Sequence, residues 1–234
     1  MMESGLKGGL AFLGGLVVVG TVAAFTLPAV FIAAAGPRSE IVGTIKKTEV
    51  DGLSLTLPHS KEPLVAHHHH FDRVSVKLDE ASGRAEAFST LDFTGAWGKV
   101  EVSALGSERT LFALRKRGWA PADGYAPLLA RSVDMMVRRQ SAIEKGDRLT
   151  LSSLIRGGRL ELEDELTWKF LTSLQNRKYT PLAWYLRIAK DEVRATEAYR
   201  LEGSLPDRPI DEKGSRSLIL KPEGTDLFFA ESFW

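Results

Sequence analysis

Cysteine is absent from this chain, which excludes disulfides, thiolate metal sites and a cysteine nucleophile. An excess of either charge is missing as well: 31 Lys and Arg stand against 30 Asp and Glu, for a net charge of +1. Nucleic-acid binders carry a clear basic excess, so there is no electrostatic basis for a nucleic-acid partner. No Ser-His-Asp spacing, phosphate loop or dinucleotide fingerprint occurs, and Gly157-Gly158 is too sparse to cradle a phosphate. Internal repeats and long low-complexity tracts are lacking too. Long apolar runs are absent with one exception.

That exception is Gly8 to Pro37, which carries no charged side chain between Lys7 and Arg38. About 20 apolar helical residues span a bilayer core, so the run is long enough. A cleaved secretory signal has a shorter apolar stretch of about 7–15 residues. Ala33-Ala34-Ala35 before Gly36 fits a cleavage site, but length favours retention as a single-pass signal-anchor. Pro28 is tolerated in such a helix. Orientation has two conflicting indicators. Arg38, Lys46 and Lys47 on the far side favour a cytoplasmic C-terminal part, whereas a short leading tail favours its translocation. The reading taken is an exported domain, periplasmic in a bacterium.

After the run, period-two alternation predicts strands. Val74, Val76 and Leu78 share one face, and Ser82-Gly83 is a turn. Ala85, Ala87, Ser89, Leu91 and Phe93 follow, then a connection at Gly95–Gly98. Val100, Val102 and Ala104 form a third strand, Gly106-Ser107 a turn, and Thr110, Phe112 and Leu114 a fourth. Successive short strands of this kind predict an antiparallel β-meander.

The pattern then becomes helical. Asp123 is a candidate N-cap for a helix running to Lys145 and stopped by Gly146. Tyr125, Leu128, Leu129, Val133, Met136 and Ile143 lie on its apolar stripe, and Arg131, Arg138 and Arg139 mostly off it. Asp147 can cap a second helix holding Leu151, Leu154 and Ile155. A third opens with Glu163, Asp164 and Glu165, where the dipole favours acids. From Pro181 alternation returns through Trp184, Leu186 and Ile188, a turn at Lys190-Asp191, and Val193, Ala195, Glu197, Tyr199 and Leu201. Residues 206–214 read as a charged loop, and Leu227–Phe233 as a last strand apolar on both faces.

A long helix ending in Glu144-Lys145-Gly146-Asp147, a short helix with Leu151-Ser152-Ser153-Leu154 and a late meander resemble the ketosteroid isomerase and nuclear transport factor 2-like superfamily. Val193-Arg194-Ala195-Thr196-Glu197-Ala198-Tyr199 resembles one of its long central strands. The resemblance covers residues 123–234 and implies a cystatin-like α+β cone with an interior pocket, found in isomerases, dehydratases and non-catalytic binding modules. No catalytic Asp or Tyr of the isomerases is placed by a motif here. The expected fold is thus α+β in three parts. A transmembrane anchor occupies residues 1–37, a linker and β-rich meander 38–122, and a helix with a curved antiparallel sheet 123–234.

Two groups of residues could carry chemistry. Glu197 interrupts an apolar face, where a desolvated carboxylate would suit acid–base work, and Tyr199 on that face could orient a substrate oxygen. Alternatively Glu197 sits at the cone mouth or pairs with Arg187 or Arg216. Among His67-His68-His69-His70, an extended backbone would place His67 and His69 on one face, a spacing that can chelate Zn²⁺ or Cu²⁺. Asp72 is near and His59 could fold back, yet no third ligand is evident. The expectation is no metal and no cofactor. The functional expectation is a membrane-anchored, non-catalytic binding or assembly module. Its partners would be the membrane, a protein or a second copy of the chain, and a small apolar ligand. The alternative is an isomerase- or dehydratase-type pocket enzyme using Glu197.

Overall fold

The computed structural model describes residues 36–122, 127–189, 192–223, 226–230 and 232–234. Contacts divide the chain into two units, residues 1–40 and 41–234. Of the first, only residues 36–40 are described, and the apolar run up to Ala35 lies outside the described residues. No described helix is long and apolar enough to cross a membrane. The second unit is α+β, with an antiparallel-rich, curled sheet of nine strands.

Helix α1 (Pro37–Lys46) contributes Ile41 and Ile45 to the core. The two-residue β1 (Ser54–Leu55) edges a meander of long strands: β2 (Leu64–Asp79), β3 (Arg84–Trp97) and β4 (Val100–Arg115). The expected alternation buries Ala85, Ala87, Leu91 and Phe93 of β3. The turn expected at Gly106-Ser107 is instead inside β4. Gly106 has φ of 141°, and a Cβ there would overlap the Ile188 carbonyl. The glycine admits a neighbouring backbone rather than reversing the chain. β5 (Gly118–Pro121) folds back on the end of β4.

Helix α2 (Leu128–Lys145) follows, then α3 (Arg148–Ser153), a 3₁₀ turn (Arg156–Gly158) and α4 (Leu162–Ser173). The predicted cap Asp123 lies outside the described residues, and α2 opens directly after Pro127, where a missing N–H costs nothing. Asp147 caps α3 as expected, accepting from the Thr150 N–H at 3.0 Å. α2 is covered on most of its circumference: Val133, Met136, Ile143 and Arg139 are all fully buried. Each such aliphatic side chain contributes about 1.5–3 kcal/mol.

The helices form the crossover to β6 (Gln175–Ile188), which runs parallel to β4 from Glu101 opposite Ala183 to Gly106 opposite Ile188. A parallel pair requires such a long connection. β7 (Val193–Leu205), β8 (Arg208–Glu223) and β9 (Asp226–Phe229) complete the sheet in order β1-β2-β3-β4-β6-β7-β8-β9. Residues 206–214 are not a charged loop. Pro206-Asp207 is a tight turn and the charges line an exposed ladder, with Arg200 gripping Asp211 through two 2.8 Å hydrogen bonds. β9 is also shorter than expected: its Phe229 N–H donates to the Leu154 carbonyl, and Phe233 is buried beyond the strand against Trp168.

Candidate functional site

Glu197 lies at the middle of β7, with Trp184 of β6 and Arg216 of β8 directly opposite it on the two flanking strands. It is 0% exposed. Its Oε1 accepts from the Trp184 indole N–H at 2.9 Å; its Oε2 accepts from Arg139 Nη1 at 2.8 Å and from the Tyr179 hydroxyl. Arg139 reaches in from α2 and also donates through Nε to the Phe233 carbonyl. The cone-mouth reading of Glu197 therefore fails, and its principal partner is Arg139, not Arg187. Arg216 Nε stands 3.6 Å from Oε2, within ion-pair reach.

The electrostatics of this cluster are those of a closed structural unit. Burial works against the Arg139 charge, but Glu197 and Tyr179 together hold its pKa above the ordinary value. Burial pushes the Tyr179 hydroxyl up as well. Arg216 goes the other way, lowered chiefly by burial. Its side chain is 7% exposed, and its guanidinium carbon lies 3.1 Å from the Trp234 ring centroid and 3.9 Å from that of Tyr199. Cation–π attraction supplies what hydrogen bonds do not, since Arg216 Nη1 and Nη2 have no hydrogen-bond partner among the described residues. Tyr199 thus orients an arginine. Glu197, with three donors on its two oxygens, has little capacity left for a substrate proton.

The histidine run does not bring His67 and His69 together. A bulge between Ala66 and His68 shifts the register, so His67 is exposed while His69 turns inward and is 7% exposed. A bulge inserts one residue and reverses the facing of the residues beyond it. His69 Nδ1 lies 2.7 Å from the Thr48 carbonyl, which can only accept, so Nδ1 carries the proton. Burial lowers the His69 pKa, leaving a neutral ring packed edge-on against Phe71 and Phe93. His59 bonds Asp134 at 2.8 Å rather than folding back. Among the described residues, no group of three His, Asp or Glu is arranged to hold a metal ion.

Sequence reasoning missed a second buried glutamate. Glu108 of β4 is 3% exposed and lines a cavity of about 220 Å³. The walls are mostly apolar, with Ile45, Leu53, Leu55, Phe71, Phe112 and Leu129 among them, and His69 and Thr110 adding polar edges. Glu108 Oε1 accepts from the Leu129 N–H at 3.1 Å. α2 has no acid in its first turn and no side-chain cap of its own, so β4 supplies the negative group that the helix N-terminus favours. Burial nevertheless dominates over the backbone donors of Leu129 and Leu128, and pushes the Glu108 carboxyl up to about 7. The signal was present in the alternation Val102, Ala104, Gly106, Glu108, Thr110, Phe112. It is hidden once Gly106-Ser107 is read as a turn.

No model of a known protein family matches the chain, and no curated protein matches it. Among solved structures, it is similar to a crystal structure of a Shewanella frigidimarina protein provisionally named a ketosteroid isomerase. The similarity has 16% sequence identity and a TM-score of 0.34, and covers 41% of this chain and 87% of that one. That name is shared with the superfamily that residues 123–234 resemble. At this score and identity it gives no residue here a role.

Proposed function

We propose that the chain is a non-catalytic binding module that takes up a small apolar molecule in the cavity beside Glu108. The observation that carries this reading is the cavity itself: about 220 Å³, apolar-walled, with one buried carboxyl. An apolar cavity of about 150 Å³ already accommodates benzene, so a ring with a short tail fits. The saturated Glu197 supports binding over chemistry at that position. The uncharged run from Gly8 to Pro37 supports a membrane location, where apolar ligands concentrate. Calorimetric titration of the chain with propylbenzene tests the reading. One site per chain is expected, and it is lost in Thr110→Phe, which fills the cavity. Absence of binding, or binding untouched by that substitution, refutes it.

A second reading places acid–base chemistry in the same cavity. A carboxyl titrating near neutrality in an apolar pocket is poised for proton transfer, and Glu108 fits that description. In that case Glu108→Gln keeps ligand binding and abolishes turnover. A ligand recovered chemically unchanged after incubation with the wild-type chain favours the binding module.

A further inference from the structure

The cavity at Glu108 contains a carboxyl without a cation. None of the described residues lining it is a Lys or Arg. Lys46, the cation nearest in sequence to α1's cavity-lining Ile45, is held outside by Glu49 at 2.7 Å and by the Phe71 carbonyl. His69 is neutral and already donates its Nδ1 proton to Thr48. The first N–H groups of α2 satisfy Glu108 in part, but a helix terminus supplies only about half a unit of positive charge. Buried charges in folded proteins are paired, because an isolated one is costly in an apolar medium. Without such a partner the carboxyl stays partly protonated near neutral pH, and a cation on the cavity side would hold it ionised.

We propose that this cavity selects an apolar amine: the hydrocarbon part fills the walls formed by Leu53, Phe71, Phe112 and Leu129, and the ammonium group pairs with Glu108. The inference rests on the binding-module reading and adds the ligand's charge to it. An ammonium–carboxylate pair in so small a space is short and charge-assisted, and its apolar surroundings weaken solvent competition. An apolar carboxylate of the same size meets the opposite situation, with a second anion forced beside the first. A neutral hydrocarbon gains the wall contacts alone. The pocket therefore ranks ligands by head-group charge, while size sets only whether they enter.

Three phenylalkyl probes of similar size test this on the chain: phenethylamine, propylbenzene and phenylpropanoate, titrated at pH 7.5. The expected order is amine tightest, by about tenfold over propylbenzene, which corresponds to ~1.4 kcal/mol, with phenylpropanoate weakest. In Glu108→Gln, which keeps an oxygen to accept from Leu129, the amine's advantage over propylbenzene should vanish. If propylbenzene binds but the amine does no better in the wild type, the charge inference is overturned and the binding module stands. If phenylpropanoate binds tightest, the inference is overturned in sign. If none of the three binds, both are overturned. Should Glu108→Gln fail to fold, the wild-type ranking alone decides.

Discussion

Replacing Glu197 with Gln removes one unit of negative charge from a site that buries two guanidinium groups. With its oxygen at the Oε2 position the amide still accepts from Arg139 Nη1 and the Tyr179 hydroxyl, but its NH₂ then faces the Trp184 indole N–H. A donor meets a donor, and Arg139, fully buried, loses its counter-charge. Arg216 loses its only carboxylate within ion-pair reach among the described residues. Breaking a buried pair by removing one partner costs about 3–5 kcal/mol. For a unit of this size each kcal/mol shifts Tm by about 2–4 °C, so Tm should fall by roughly 6–20 °C. Circular dichroism melting of the chain measures it. The double variant Arg139→Met, Glu197→Leu should recover only the share of the loss that comes from Arg139, because a packed apolar pair can replace that buried ionic one while Arg216 stays without its carboxylate. A Tm for Glu197→Gln unchanged or raised would refute the structural role and return Glu197 to the group of strained functional acids.

Glu108 gives the chain a pH signature. Its pKa is about 7 when folded against an ordinary 4.5, so between those values the folded state binds more protons than the unfolded. Stability should therefore fall as pH rises from about 4.5 through about 7, by up to about 3 kcal/mol. His69, buried neutral with a lowered pKa, acts oppositely on the acid side, so comparison of urea midpoints with Glu108→Gln isolates the effect: the variant's loss between pH 5 and 8 should be much smaller. Of the histidines, His67→Ala should leave the melting temperature unchanged, whereas His69→Ala strands the Thr48 carbonyl and empties part of the cavity wall, for about 2–4 kcal/mol in chemical denaturation. Gly106→Ala should cost roughly 2–5 kcal/mol and should deprotect the amides that join β4 to β6 in hydrogen exchange, since its Cβ would strike the Ile188 backbone.

What the sequence showed locally, it showed well. The alternation from Val74 to Phe93, the Asp147 cap and the inward face Val193–Ala195–Glu197 all have a physical cause within a few residues, and each is present in the structure. Non-local features were illegible. The parallel register of β4 against β6 joins residues about eighty positions apart, so nothing near Gly106 marked it as a point of close approach. Arg139 lies off the apolar stripe of α2, yet it is buried because the carboxylate that neutralises it arrives from β7. Glu108 was obscured by the same glycine that divides its strand when read as a turn. The histidine run misled for a subtler reason: one bulged residue reverses facing, and composition does not encode where a bulge falls.

A crystal structure of the chain grown with propylbenzene shows whether the Glu108 cavity is a ligand site. The ligand should be seen between Phe71, Phe112 and Leu129, beside the Glu108 carboxyl, with Glu197 still held by Arg139, Tyr179 and Trp184. An unfilled cavity at saturating ligand, or propylbenzene bound elsewhere on the chain, would contradict the account.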